Sequence, residues 1–244
     1  MNKQFKLNMR DYIHQPAGKL FFNREMFGYL APKYDLINRM LSFNRDAVWK
    51  KQLINKLPDI KSPRCLDIAC GTGDLTFLLA AKYPQGHITG LDLTQQMIDL
   101  AKTNNSFDNV EFTIGNMCDL KFQDNTFDII TAGYALRNSP DLEKALKEIK
   151  RVMKPGATAA IIDFSKSPNR LMQIIQDILL RFWGGFWGLL LHRNPQLYTY
   201  IAASLRQFPD RVALKQLISK LGFTNIRSRK HFFGFTESIF FQKP

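Results

Sequence analysis

Leu66-Asp67-Ile68-Ala69-Cys70-Gly71-Thr72-Gly73-Asp74-Leu75 decides the fold of this chain. The apolar run Cys65–Ala69 has the length and composition of a buried strand, and Leu75–Lys82 has those of a helix. Between them lie two glycines, one residue apart. Gly71 and Gly73 let the backbone turn tightly and come close to a ligand without a Cβ in the way. A strand, a glycine turn and a helix open an α/β sheet whose ligands lie at the carboxyl ends of the strands, where strand order reverses.

Downstream the alternation continues. His87–Asp92, Val110–Ile114, Phe127–Ala132 and Thr158–Phe164 read as further strands, and Gln95–Thr103 reads as a helix. Ser139 with Pro140 is expected to open another helix, which carries Leu142, Ala145, Leu146, Ile149, Val152 and Met153 on one face. Lys154-Pro155-Gly156 is expected to stop it. Two strand-like runs, Thr224–Arg229 and Phe235–Gln242, close the chain as an antiparallel edge hairpin linked at His231–Gly234. The expected fold is therefore a doubly wound, Rossmann-like, seven-stranded α/β sheet. Residues 1–61 read as a helical N-terminal cap and 62–244 as the α/β domain. A helical insertion at about 169–220 precedes the last two strands, and the whole forms one compact unit.

Asp92 ends the second strand, 21 positions after Gly71, where an acid accepts hydrogen bonds from ribose hydroxyls. This serves a dinucleotide or S-adenosylmethionine. A dinucleotide needs a third glycine where this chain has Thr76, and Asp74 would repel a pyrophosphate. S-adenosylmethionine carries no phosphate, and its amino and sulfonium cations tolerate Asp67 and Asp74. Asn116-Met117, after the third strand, offers a place for the adenine ring, and Asp119 an acceptor for its amino group.

The chain has 34 Lys and Arg against 21 Asp and Glu, a net +13, unevenly spread. Residues 1–61 carry +7, 62–169 carry −2 and 170–244 carry +8. Basic flanks suit a polyanionic surface, either nucleic acid or anionic lipid. Three cysteines, Cys65, Cys70 and Cys118, form no even disulfide set and have no zinc-like spacing, so no metal is expected. Residues 1–22 lack the apolar core of a secretion signal. Leu171–Leu191 is apolar but is interrupted by Gln173, Gln176, Asp177, Arg181 and a Gly184-Gly185 break, so no transmembrane helix is expected. Its four aromatic residues, Phe182, Trp183, Phe186 and Trp187, suit a core that caps the sheet, the wall of an apolar tunnel, or an interfacial surface. A cytoplasmic protein is expected, peripheral to the inner membrane if that surface is used. The sequence is compatible with a homodimer.

Four segments carry a resemblance to a known family. They are Met26-Phe27 with Lys33–Asn38, Leu41-Ser42-Phe43 and Trp49-Lys50; the glycine motif; Asp124–Asp128 with Ala135–Asn138 and Arg151–Gly156; and Phe164-Ser165-Lys166 with Tyr198–Ser204 and Phe208-Pro209-Asp210. Through them nearly the whole chain resembles the C-methyltransferases of ubiquinone and menaquinone biosynthesis. The glycine motif is common to many methyltransferases, whereas Lys33-Tyr34-Asp35, Leu136-Arg137-Asn138 and Tyr198–Pro209 are far more specific. The resemblance implies methyl transfer to a ring carbon of a demethylated isoprenoid quinol, with cofactor contacts at Thr72, Asp92 and Asn116-Met117. A serine contact of the family meets Gly133 here, which leaves only its backbone, and Asn44 stands where glycine is common.

A phenolic ring carbon becomes nucleophilic when a neighbouring hydroxyl loses its proton, so the site needs a base or a cation that stabilises the phenolate. Arg137, after the fourth strand, is the expected cation, unless it is structural and paired with Asp141 or the sheet edge. Asp35 is a candidate base, and Tyr34 a candidate for orienting the ring. His192 and His231 titrate near neutrality, but nothing in the sequence places them in the site. Two rivals remain. A methyltransferase for nucleic acid or another small molecule would suit the charge, yet Gly133–Asn138 lacks the Pro-Pro turn of the amine methylators. Cys118 follows the third strand, not the fourth or fifth, where a cytosine-methylating nucleophile would lie. A non-catalytic module would bind the cofactor without turnover.

Overall fold

The computed structural model describes residues 5–192 and 196–244. Seven strands form one sheet in the order β3-β2-β1-β4-β5-β7-β6. They are β1 (Arg64–Ile68), β2 (His87–Asp92), β3 (Val110–Ile114), β4 (Phe127–Gly133), β5 (Met153–Phe164), β6 (Thr224–His231) and β7 (Thr236–Gln242). The first five pair in parallel, and β7 runs antiparallel between β5 and β6. The closing hairpin thus forms one edge of the sheet, and β6 is its last strand.

Side chains of the central strands alternate between two cores. On one face Cys65, Ile88, Ile129 and Ile162 pack with Leu75 and Leu79 of α4 (Asp74–Lys82) and Trp49 and Leu53 of α3 (Asp46–Asn55). On the other, Leu66, Ile68, Ile130 and Ile161 meet Leu146 and Ile149 of α6 (Leu142–Val152) and Leu214 and Ile218 of α9 (Arg211–Lys220). Continuous apolar strands buried on both faces are what a parallel sheet requires. A third, smaller core joins Phe22, Met26 and Leu30 of α1 (Pro16–Leu30), Ile37 of α2 (Tyr34–Leu41), and Leu197 and Tyr200 of α8 (Gln196–Gln207). The remaining helices are α5 (Gln95–Asn104) and α7 (Arg170–His192).

Three expectations give way. Asp141, not Ser139, caps α6: its side chain accepts from the Lys144 N–H, while the Ser139 hydroxyl donates to the Asp141 carbonyl at 2.8 Å. The same helix ends at Val152, and Met153-Lys154-Pro155-Gly156 already belongs to β5. Finally, α7 runs unbroken through Gly184-Gly185. Two interior glycines cost roughly 1 kcal/mol each relative to alanine. Ring contacts across them, Trp183 with Phe186 at 6.2 Å and with Trp187 at 5.6 Å, oppose that loss.

Nor is α7 a covered core helix. Leu171, Ile174, Ile178, Phe182, Leu189 and Leu190 are exposed, Phe182 at 74%. Among the described residues no helix is long and apolar enough to cross a membrane.

Candidate functional site

The chain leaves β1 toward β2 and β3 on one side, and toward β4 and β5 on the other, so strand order reverses beside β1. The glycine turn lies at that point. Gly71 has φ +56° and Gly73 φ +101°, and a Cβ on Gly73 would lie 2.6 Å from the Phe77 ring. Asp92 ends the neighbouring strand and fastens the turn. Its Oδ2 accepts from the Gly71 N–H and its Oδ1 from the Thr94 N–H, both at 2.9 Å. Burial pushes the Asp92 carboxyl above its ordinary range, against the pull of those N–H groups.

A narrow cleft opens here, walled by Gly71, Asp92, Asn116, Met117, Gly133 and Tyr134. The structure therefore brings together five of the residues expected to hold a cofactor. Free space in the cleft is about 70 Å³, because Asn23, Phe27 and Tyr34 of the N-terminal helices also line it. A Cβ on Gly133 would stand 2.9 Å from Leu75 Cδ1, so a serine here would need Leu75 to move.

Other expected residues lie off the cleft wall. Asp67 sits beneath the turn, where Oδ1 accepts from Thr131 Oγ1 at 2.8 Å and Oδ2 from Thr76 Oγ1 at 2.7 Å. Burial pushes its pKa up to about 6, although both hydroxyls oppose the shift. A carboxyl raised above its unfolded value contributes stability that is present at low pH and lost as pH rises through the folded pKa. At pH 7 this costs about 3 kcal/mol. Asp67→Asn is therefore expected to be more stable than the parent above pH 6, with the advantage vanishing below about pH 4. Chemical denaturation of both forms across that range checks it, and an advantage that does not depend on pH would contradict it.

Thr72 Oγ1 donates to Asp35 Oδ1 at 2.6 Å, tying α2 to the glycine turn. Neither residue lines the cleft or the larger cavity beside it. Asp74 is not an open acid facing the cleft, because Lys50 Nζ pairs with it at 2.7 Å. Asp119 is exposed, pairs with Lys121 at 2.7 Å and is not among the residues that line the cleft. His231 stacks on Trp49 and bonds Ser238, away from the cleft, and the side chain of His192 lies outside the described residues.

The larger cavity, of about 520 Å³, has mainly apolar walls that include Ile37, Leu180, Trp183 and Phe232. Phe27, Tyr34 and Tyr134 border both spaces and so separate them. Arg137 lines the larger one from a single 3-10 turn, Leu136–Asn138. Its Nε lies 3.3 Å from Asp163 Oδ1, and Nη1 donates to Asn138 Oδ1 at 2.7 Å and Ser204 Oγ at 3.2 Å. The partner is thus Asp163 of β5 and not Asp141. Burial pushes Asp163 upward while Arg137 pulls it down. The sequence reading missed Asp46, which is buried on the same wall; the i,i+4 spacing to Lys50, whose Nζ lies 3.1 Å from its Oδ2, was the available signal.

The family model described as the ubiE/COQ5 methyltransferase family matches residues 19–241. The chain belongs to this family. Its relatives include the demethylmenaquinone methyltransferases of Staphylococcus aureus strains JH9 and Newman. Each is 34% identical over 206 residues, covering 84% of this chain and 86% of the relative. Among solved structures, an S-adenosylmethionine-dependent methyltransferase of Thermotoga maritima superposes with a TM-score of 0.65 at 18% identity, covering 91% of this chain and 99% of the other. Phosphoethanolamine N-methyltransferase 2 of Haemonchus contortus, in complex with S-adenosyl-L-methionine, gives 0.62 at 14% identity, covering 98% of this chain and 60% of the other. These two share the fold. As a ubiE/COQ5 family member the chain is an S-adenosylmethionine-dependent methyltransferase with the class I seven-stranded sheet.

Proposed function

We propose that the protein methylates a ring carbon of a demethylated isoprenoid quinol, demethylmenaquinol or the 2-polyprenyl-6-methoxy-1,4-benzoquinol. One observation carries this reading: a largely apolar cavity meets the cofactor cleft at Tyr34 and Tyr134. An apolar space of this size takes a quinol ring and the start of its tail, and a nucleic-acid strand has no use for it. The relatives named for demethylmenaquinone point to the same substrate class.

The residues of the cleft fit S-adenosylmethionine. Asp92 would hold the sugar at the strand end, the glycine turn would allow close approach, and Asn116-Met117 would hold the base. When bound, the cofactor supplies an electrophilic methyl on sulfonium. Asn23, Phe27 and Tyr34 also line this cleft. Against bound cofactor and quinol they would exclude water and help hold ring and methyl in line, which supplies much of the acceleration. Arg137, fixed by Asp163 and Ser204, stabilises the quinolate oxygen as a permanent cation. Tyr34 orients the ring. The test uses methyl-labelled S-adenosylmethionine with lipid extract from cells lacking the endogenous enzyme. Label in a methylated quinone is expected; label confined to other molecules would overturn the reading.

The exposed side chains of α7, together with Phe233 at 95% exposure beside the cavity mouth, are the surface that meets an anionic membrane. Residues 170–244, which include α7, carry a net +8. This makes the protein peripheral to the inner membrane, where a tailed quinol resides. Binding to anionic vesicles that weakens with salt is expected, and Phe182→Asp should weaken it by roughly tenfold or more. No cosedimentation at low salt would contradict this.

A further inference from the structure

Methylating a phenolic ring releases one proton on balance: the ring exchanges a hydrogen for a methyl and keeps its hydroxyls. The ring carbon becomes nucleophilic only while a hydroxyl proton is held elsewhere, so the site needs a group to hold it until the carbon's own proton leaves. Among the described residues lining the large cavity, Asp46 is the one carboxylate. It stands in the first turn of α3, 4% exposed. Its Oδ1 accepts from Ser42 Oγ at 3.0 Å and its Oδ2 from Lys50 Nζ at 3.1 Å. Lys50 continues to Asp74 at 2.7 Å and lies 5.8 Å from the centre of the Tyr134 ring. This chain of contacts anchors Asp46 to the helix that opens from the glycine turn, beside a tyrosine that borders both cavities.

The other groups near this wall are poor bases. Burial lowers the proton affinity of Lys50, but Asp74 and Asp46 outweigh it and hold the amine protonated. Burial pushes the Tyr34 and Tyr134 phenols up, so they keep their protons. Arg137 stays charged. Asp35, the carboxylate suggested by the sequence, is held by Thr72 and lies off the wall.

We infer that Asp46 is the base that accepts the quinol hydroxyl proton, an assignment that rests on the quinol reading above. As that proton moves to Asp46, the ring oxygen donates electron density. The neighbouring ring carbon then bonds the methyl as the sulfur–methyl bond breaks, its electron pair remaining on sulfur. The same carbon next loses its hydrogen as a proton, and the oxygen recovers one from Asp46. The net product is methylated quinol, neutral thioether and one proton passed to water.

Asp46→Asn in the full-length protein tests this. S-adenosylhomocysteine affinity by calorimetry, and binding of a short-tailed demethylmenaquinol by tryptophan fluorescence, are expected within about twofold of the parent. The value of kcat is expected to fall by about 10²-fold or more, with KM little changed. Added formate, a small external carboxylate, should restore part of the loss. Parent-like kcat in Asp46→Asn would overturn the assignment. A parent enzyme that binds S-adenosylhomocysteine but never methylates the quinol would instead sink the substrate reading. Should Asp46→Asn fail to bind S-adenosylhomocysteine, Asp46→Glu, which keeps the charge, decides. A fall in kcat of tenfold or more with intact cofactor affinity supports the role, and unchanged kcat overturns it.

Discussion

Replacing Asp92 with alanine is expected to weaken S-adenosylhomocysteine binding by roughly 10²- to 10³-fold. The carboxylate has two tasks on this reading. It accepts the N–H groups of Gly71 and Thr94, which fixes the turn against the end of β2. It also keeps lone pairs for the sugar hydroxyls of the nucleoside. A hydrogen bond to a charged acceptor contributes about 1.5–3 kcal/mol, and each buried N–H left without a partner costs about 1–3 kcal/mol. Part of the stability loss is offset, because Asp92 is buried and its charge is itself unfavourable there. The binding loss should therefore exceed the stability loss. Titration calorimetry and chemical denaturation on the same sample measure both, and Asp92→Asn, which retains an acceptor oxygen, should lie between. An alanine variant that binds like the parent would remove Asp92 from the site.

Arg137→Ala is expected to lower kcat by roughly 10²- to 10³-fold, the usual cost of removing one preorganised donor to a developing oxyanion. Cofactor affinity should change far less, because Arg137 lines the large cavity and not the cofactor cleft. The structure adds a second consequence. Deleting the guanidinium leaves Asp163 buried without its cation, a defect of about 3–5 kcal/mol. That is a large share of the roughly 5–15 kcal/mol that holds a typical domain together. Arg137→Ala/Asp163→Asn should recover much of the stability and none of the turnover. Equal losses of kcat and cofactor affinity in a folded single variant would refute the oxyanion role.

The sheet and the cofactor cleft were legible in the sequence for a common reason. Runs such as His87–Leu91 and Phe127–Ala132 are short, rich in apolar residues and bounded by turn signals, and their ends carry the ligand positions. Asp92, Asn116 and Met117 could thus be placed from the strand ends, whereas Gly133 came only from the family resemblance. Contacts made across long sequence distances were not legible. Asp67 is held by Thr131, 64 residues away, and Thr72 by Asp35, 37 residues away. Neither pairing leaves a local pattern, so both acids read as open to ligand. An acid at the start of a helix, such as Asp46, ordinarily reads as a partner for the helix dipole. Only the fold turns it toward the cavity. The aromatic run of α7 reads more readily as a core that caps the sheet, but the packing of α7 against α8 and α2 leaves most of its apolar side chains outward. By contrast, Asn44 sits at φ +58°, which explains why glycine suits that position.

The most direct measurement is a calorimetric titration of folded, cofactor-free protein with S-adenosylhomocysteine. A saturable one-to-one isotherm is predicted, abolished or severely weakened in Asp92→Ala. Absence of heat at several temperatures, from protein shown to be folded, would contradict the assignment of the cleft between Gly71 and Asp92.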